Sequence, residues 1–116
     1  MKPNLLLIIA TDPRTSHRPA EAIRIAAGVS AWKKVNIRIY LRDPAVRALS
    51  EITDALVDED IFLDYLSSVT SLENPIYIQK GSPQLAGMGK PTLSHEEISE
   101  AQLAELAAKC TSVVRF

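Results

Sequence analysis

Cysteine, glycine and aromatic residues are all scarce in this chain of 116 residues. It has one cysteine and four glycines, and aromatic side chains make up 5% of it. A single cysteine excludes an internal disulfide and a zinc site built from cysteines. Few aromatics argue against stacking platforms for nucleic-acid bases, and a formal net charge of −1 provides no general attraction for a polyanion. We therefore expect no nucleic-acid partner.

Long apolar segments are also missing. The longest apolar run, residues 5–10, is far too short to cross a bilayer. One lysine precedes this run and no small-residue cleavage pattern follows it, so we expect no signal peptide. Together with a length typical of one domain, these features predict a single cytoplasmic domain over residues 1–116 that does not associate with membranes.

Between its seven prolines, the sequence alternates strand-like apolar runs with helical patterns. Strands are predicted over residues 5–10, 35–41, 76–79 and 112–116, and helices over 20–33, from 44 onward, over 61–69 and over 94–109. The last helix is expected to begin at Ser94-His95-Glu96-Glu97, which matches a capping box. Strands separated by helices imply a parallel sheet covered on both faces. We predict a three-layer α/β sandwich, flavodoxin-like in outline. Its mainly parallel sheet has four or five strands, with residues 5–10 and 76–79 paired in its centre.

The segment after the third predicted strand is the most informative part of the chain. Three of the four glycines, Gly81, Gly87 and Gly89, fall within residues 80–90. Glycine lets the backbone take positive φ and approach a ligand closely, and ligands of α/β folds bind at the carboxyl ends of the strands. This loop, with Gly81 and Ser82 at its start, is therefore the predicted location of a site.

Cations from three segments should converge at the same edge of a parallel sheet. They follow the first strand, the second strand and the third, while most acids fall in other segments. Backbone N–H groups at helix N-termini would add donors for an anion. The predicted anion-binding residues are Asp12, Arg14, His17, Arg18, Arg42, Lys80, Gly81 and Ser82. The alternative is that these side chains are solvated loop charges with no specific partner.

Motifs for catalysis or for a cofactor are not found. His17 has no second histidine or carboxylate at metal-ligand spacing. The hydroxyl residues form neither a nucleophile elbow nor a recognisable triad, and the glycine spacing does not match a phosphate loop. We therefore predict no catalytic residue, no metal ion and no cofactor.

Two further expectations concern burial and assembly. Cys110 shares a helical face with Leu103, which predicts a buried and unreactive thiol. Val46, Leu49 and Ile52 follow the second strand on an element that is too small to bury all three side chains. This pattern predicts that part of that surface is an oligomer interface.

The order of elements resembles the DsrE/DsrF/TusD-like sulfur-relay family over nearly the whole chain. The resemblance rests on the apolar first strand, the helix over residues 20–33, Leu41-Arg42-Asp43-Pro44, Ala86-Gly87-Met88 and the ending Val113-Val114-Arg115-Phe116. It implies a DsrE-like three-layer fold. It also implies a homo-oligomer, as a dimer, trimer or hexamer, with sulfur-relay homologues as candidate partners.

The resemblance does not extend to the sulfur-carrying residue. Sulfur carriers of that family hold a persulfide on a cysteine just past the third strand, where this chain has Gln79-Lys80-Gly81-Ser82, and Cys110 does not match that position. We therefore expect a non-catalytic member that binds a small anionic ligand or a partner subunit at the sheet edge. Two alternatives are a structural subunit of a sulfur-relay complex and a small enzyme that uses His17, Asp12 and Lys80.

Overall fold

The computed structural model describes residues 3–32, 35–42, 45–46, 76–81 and 95–116. Within these residues the chain forms five strands and two helices. In chain order they are β1 (Asn4–Ile9), α1 (Arg18–Trp32), β2 (Asn36–Leu41), β3 (Ile76–Gln79), β4 (His95–Ile98), α2 (Glu100–Lys109) and β5 (Ser112–Arg115). The helix expected over 61–69 and the loop beyond Gly81 lie outside the described residues. Of the short helix expected from 44 onward, Ala45 and Val46 are described, as a single turn.

The five strands form one parallel sheet in the order β4-β3-β2-β1-β5. This confirms the predicted parallel sheet. Of the four or five strands that were predicted, five are present in the described residues. The expected pairing of β1 with β3 is wrong, because β2 lies between them and pairs with both. Successive strands joined by crossovers pack side by side, so the second apolar strand takes the central position.

Each face of the sheet buries a separate apolar cluster. Alternate side chains of a strand point to opposite faces, and α1 packs on one face through Ala22, Ile23 and Ala26 against Leu7 and Ile39. The other face holds Leu6, Ile8, Tyr40, Ile98 and, from α2, Leu103. We call these the α1 face and the α2 face. Helices therefore cover both faces, as predicted.

The expected start of the last helix is wrong. His95–Ile98 is a strand that pairs in parallel with β3, and the helix begins after it, at Glu100. Its N-cap is Ser99, whose hydroxyl accepts a hydrogen bond from the Gln102 backbone N–H at 3.2 Å, while the Gln102 side chain accepts from the Ser99 N–H at 2.8 Å. The sequence contains two capping-box patterns five residues apart, and the later one is used.

Val46 and Cys110 test the expectations about burial. The expectation that Val46 contributes to an oligomer interface is wrong, because Val46 is 0% exposed within the single chain. Leu49 and Ile52 lie outside the described residues. Cys110 caps the C-terminus of α2 and is half-buried against the α2-face cluster. Burial raises the pKa of its thiol, although the positive charge of Arg38 opposes that rise. Neither of the two described helices is long and apolar enough to cross a membrane.

Candidate anion-binding site

A groove of about 440 Å³ lies between α2 and the sheet, at the carboxyl ends of β1, β2 and β5. Its volume falls within the range usual for small-ligand sites. The groove is lined by Ile8, Ala10, Arg42, Glu100, Leu103, Ala104, Ala107, Val113 and Arg115. These residues belong to the α2 face of the sheet and to the facing side of α2, so the groove is one continuous surface.

Strand register places two arginines on either side of this groove. Ile8 of β1 pairs with Tyr40 on one side and with Arg115 on the other, and paired residues of parallel strands share a face. Arg42 follows Tyr40 by two positions and therefore projects from the same face. The Arg42 N–H donates to the Ile9 carbonyl at 2.8 Å, which holds the end of β2 beside β1.

Glu100 reaches the groove from the first turn of α2. Its Oε2 lies 2.9 Å from Nη2 of Arg42, and a carboxylate is favoured at a helix N-terminus. Because the two side chains are 39% and 67% exposed, the pair contributes only about 0.2–1 kcal/mol to stability. From the sequence, most acids were expected in segments away from this edge, and Glu100 was counted among them. That placement is wrong because α2 starts later than expected.

Tyr40 lies beneath Arg42 and is fully buried. The guanidinium carbon of Arg42 is 5.8 Å from the centre of the Tyr40 ring, within reach of a cation–π contact. Burial raises the pKa of the Tyr40 hydroxyl, and the positive charge of Arg42 offsets part of that rise. In the described part of the protein, neither this hydroxyl nor Nε of Arg42 has a hydrogen-bond partner. A buried polar atom of this kind costs about 1–3 kcal/mol.

The loop between β1 and α1 forms its own ion pair. The Asp12 carboxylate accepts hydrogen bonds from the Arg14 backbone N–H at 2.9 Å, from Nε at 3.0 Å and from Nη2 at 2.8 Å. This hydrogen bonding raises the pKa of Arg14. The Asp12 carbonyl also accepts from the Thr15 and Ser16 N–H groups. The charge of Arg14 is therefore balanced locally by Asp12.

His17 and Arg18 stand at the start of α1. Both are exposed. The His17 carbonyl accepts the first helical hydrogen bond, from the Glu21 N–H at 2.9 Å, and the Arg18 N–H donates to the Ser16 hydroxyl at 3.1 Å. These backbone contacts fix the beginning of the helix at the carboxyl edge of the sheet.

Lys80 and Gly81 form the turn that follows β3. The Lys80 N–H donates to the Ile98 carbonyl at 3.1 Å, and the Gly81 N–H lies 3.4 Å from Oε1 of Glu97. Gly81 has a φ of 72°, a conformation that favours glycine over residues with a Cβ. Its backbone N–H thus faces a carboxylate of β4. Ser82 lies outside the described residues.

The predicted site residues therefore occupy three places along the edge. Among the described residues of that set, Arg42 is the one that lines the groove. Sequence reasoning missed Tyr40, Glu100 and Arg115. A signal for Arg115 was present, because Val113 and Arg115 alternate with Val114 and so share one face of a strand. In the described ranges no group of three or more histidine, cysteine or acidic residues could hold a metal ion.

The parallel sheet of order β4-β3-β2-β1-β5, with a helix on each face, has the DsrE-like α/β fold. The structure is similar to the crystal structure of the YchN protein from E. coli, with a TM-score of 0.72, 17% sequence identity and 100% coverage of both chains. No protein-family model and no curated protein sequence matches the chain. A structural likeness at this identity shows a common fold.

Proposed function

We propose that this protein is a non-catalytic DsrE-like protein that binds a small anion in the groove between α2 and the sheet. The observation that carries the proposal is the placement of Arg42 and Arg115 on one face of the sheet, at the rim of a largely apolar groove. Guanidinium groups present a planar fork of donors that matches the two oxygens of a carboxylate. Glu100 balances one of the two positive charges, and the lining keeps a net charge of +1.

The edge loops form an outer rim in this proposal. Arg18 and Lys80 follow β1 and β3 and add exposed positive charge along the same edge, with His17 beside Arg18. Gly81 shapes the turn after β3, and the Asp12–Arg14 ion pair stiffens the loop after β1. Exposed charges are screened over about 10 Å at 0.1 M salt. The rim therefore steers an anion toward the groove, and its contribution falls as salt rises.

We propose a non-catalytic role because the single thiol, Cys110, lies away from the groove. Cys110 lies at the C-terminus of α2, whereas Glu100 at the N-terminus of that helix meets the end of β2. The residue after Cys110 bonds to Asn4 at the start of β1. The thiol is thus at the amino edge of the sheet, away from the groove. A sulfur-carrying cysteine just past β3 has no counterpart in Lys80 or Gly81.

A thermal-shift series tests anion binding. A ligand that prefers the folded state raises the melting temperature by mass action. Sulfate, phosphate and acetate are compared at constant ionic strength on the wild type, on Arg42→Gln and on the matched control Arg24→Gln, a change on the exposed side of α1. We expect a smaller shift for Arg42→Gln than for the other two proteins. Equal shifts in all three would show that anion effects are not specific to the groove.

Assembly is the second part of the proposal, and the edge strand β5 supports it. All four residues of β5 are exposed, and its two valines, Val113 and Val114, are each 41% exposed. An exposed strand edge is a template for pairing with another chain. We place a homo-oligomer contact at β5. Sedimentation at micromolar concentration should show an oligomer, and Val114→Lys should shift it toward monomer, whereas a monomeric wild type would contradict this part.

A structural subunit of a sulfur-relay complex is the alternative function. It would use the same exposed edge for a homologue that carries the missing cysteine. Purification of the tagged protein from its own cells distinguishes the two functions. A stoichiometric cysteine-bearing homologue would favour the structural role, whereas the chain alone would favour the homo-oligomeric binding protein.

A further inference from the structure

We infer that the ligand of the groove is an aliphatic monocarboxylate. Its carboxylate would lie at the two arginines and its chain along α2. This inference rests on the proposed anion-binding function and adds the chemical class of the ligand. Three observations carry it: the apolar lining, the net charge of the groove and the unpartnered donors beside Arg42.

The lining is apolar apart from its rim. Six of its nine residues have aliphatic side chains: Ile8, Ala10, Leu103, Ala104, Ala107 and Val113. Ala104 and Ala107 are small and leave room between α2 and the sheet. Val113, which lines the groove, is 41% exposed, so part of the apolar lining contacts water. A bare inorganic anion would leave this surface in water, whereas an aliphatic chain would bury it.

The charges of the groove match one negative charge. Arg42 and Arg115 supply two positive charges and Glu100 one negative charge, so a monoanion balances the site and a dianion exceeds it. The buried Tyr40 hydroxyl and Nε of Arg42 are donors without partners in the described part of the protein. Of these two residues Arg42 lines the groove, so its guanidinium is the group that the two acceptor oxygens of a carboxylate would meet.

The order of the lining residues indicates how the aliphatic chain of the ligand would run along the groove. The arginines and Glu100 lie at the carboxyl edge, and Leu103, Ala104 and Ala107 follow along α2. Seven residues separate Glu100 from Ala107, which is about 10 Å at 1.5 Å per residue. The groove is therefore elongated from a charged end toward an apolar end. This is the shape that an amphipathic monoanion occupies.

A chain-length series measures the inference directly. Dissociation constants are determined by calorimetry for acetate, butanoate, hexanoate and octanoate at constant ionic strength, with sulfate and octanol as comparisons. Burial of one methylene is worth about 0.8 kcal/mol, which corresponds to roughly fourfold in affinity. We expect affinity to rise by up to about fourfold per methylene until the groove is filled, and we expect octanol to bind more weakly than octanoate.

A variant that fills part of the groove tests where the aliphatic chain of the ligand lies. Ala104→Leu narrows the apolar end, and the matched control Ala101→Leu adds the same side chain at an exposed position of α2 outside the groove lining. We expect Ala104→Leu to remove most of the advantage of octanoate over acetate. The control should keep the full chain-length dependence.

The possible failures are distinguishable. Equal affinities for acetate and octanoate, or octanol binding as tightly as octanoate, would overturn the monocarboxylate assignment and leave the anion site intact. Sulfate binding more tightly than every carboxylate would do the same. If no anion binds, sulfate included, the proposed function itself is wrong.

Discussion

At the scale of single residues, Tyr40, which is buried beneath Arg42 of the groove, is the most unusual. Its hydroxyl is buried without a partner in the described part of the chain, and its ring supports the Arg42 guanidinium. Removing an unsatisfied buried hydroxyl while keeping the ring relieves part of the cost of burying it and loses little packing. We predict that Tyr40→Phe leaves the free energy of unfolding unchanged or raises it by up to about 1 kcal/mol, as measured by urea denaturation. A clear loss of stability would show that the hydroxyl has a partner.

Glu100 is the residue that opposes an incoming anion. Glu100→Gln removes the negative charge from the groove, and exposed ion pairs are worth about 0.2–1 kcal/mol. We predict that acetate affinity rises by up to about fivefold, because the same range of free energy is returned to the ligand. Glu105→Gln, an exposed acid later in α2, is the matched control and should leave affinity unchanged. An equal rise in both variants would indicate only a general change in net charge.

Cys110 gives a residue-scale test of burial. The thiolate is the reactive form of cysteine, and burial raises the pKa of this thiol. At a pH near 8 the folded protein therefore holds less thiolate than the unfolded chain does. We predict slow labelling by a water-soluble thiol reagent in the native state and fast labelling in denaturant. Rapid native labelling would contradict a half-buried, weakly ionised thiol.

At the scale of elements, the boundary between β4 and α2 decides the shape of the groove. The sequence offers two capping boxes, one starting at Ser94 and one at Ser99, and the structure uses the second. Loss of an N-cap hydroxyl costs about 0.5–2 kcal/mol. We predict that Ser99→Ala lowers the free energy of unfolding by about 1 kcal/mol, whereas Ser94→Ala removes no helix cap. A larger loss of stability from Ser94→Ala than from Ser99→Ala would indicate that the helix begins at the earlier capping box.

The same boundary shows why element prediction succeeded for some segments and failed here. The strand β1 is a nearly continuous apolar run, β2 alternates polar and apolar residues before it ends in Tyr40 and Leu41, and α1 has a long apolar face, so their patterns were readable. β4 has four residues, two of them exposed glutamates, and it lies at the sheet edge. Its polar residues are exposed to solvent at the sheet edge and do not mark a helical face. Its pairing with β3 cannot be recognised from the local sequence pattern.

At the scale of the whole molecule, parallel topology explains how far the site could be predicted. The five described strands run in one direction, so their carboxyl ends meet at one edge, and Arg42, which follows β2, lies at that edge. Arg115 and Glu100 join it through strand order and helix start. The alternation within β5 indicates which residues share a face with Arg115, but its position beside β1 follows only from the long-range pairing of β5. Glu100 reaches the edge because the helix begins there.

The central claim is that two arginines on the α2 face bind an anion. The most direct measurement is an NMR titration with acetate at constant ionic strength on three proteins: the wild type, Arg115→Gln and the control Arg24→Gln. A hydrogen bond to a charged group is worth about 1.5–3 kcal/mol. We predict that Arg115→Gln binds acetate roughly tenfold or more weakly than the wild type, with Arg24→Gln unchanged. The same affinity in all three proteins would contradict it.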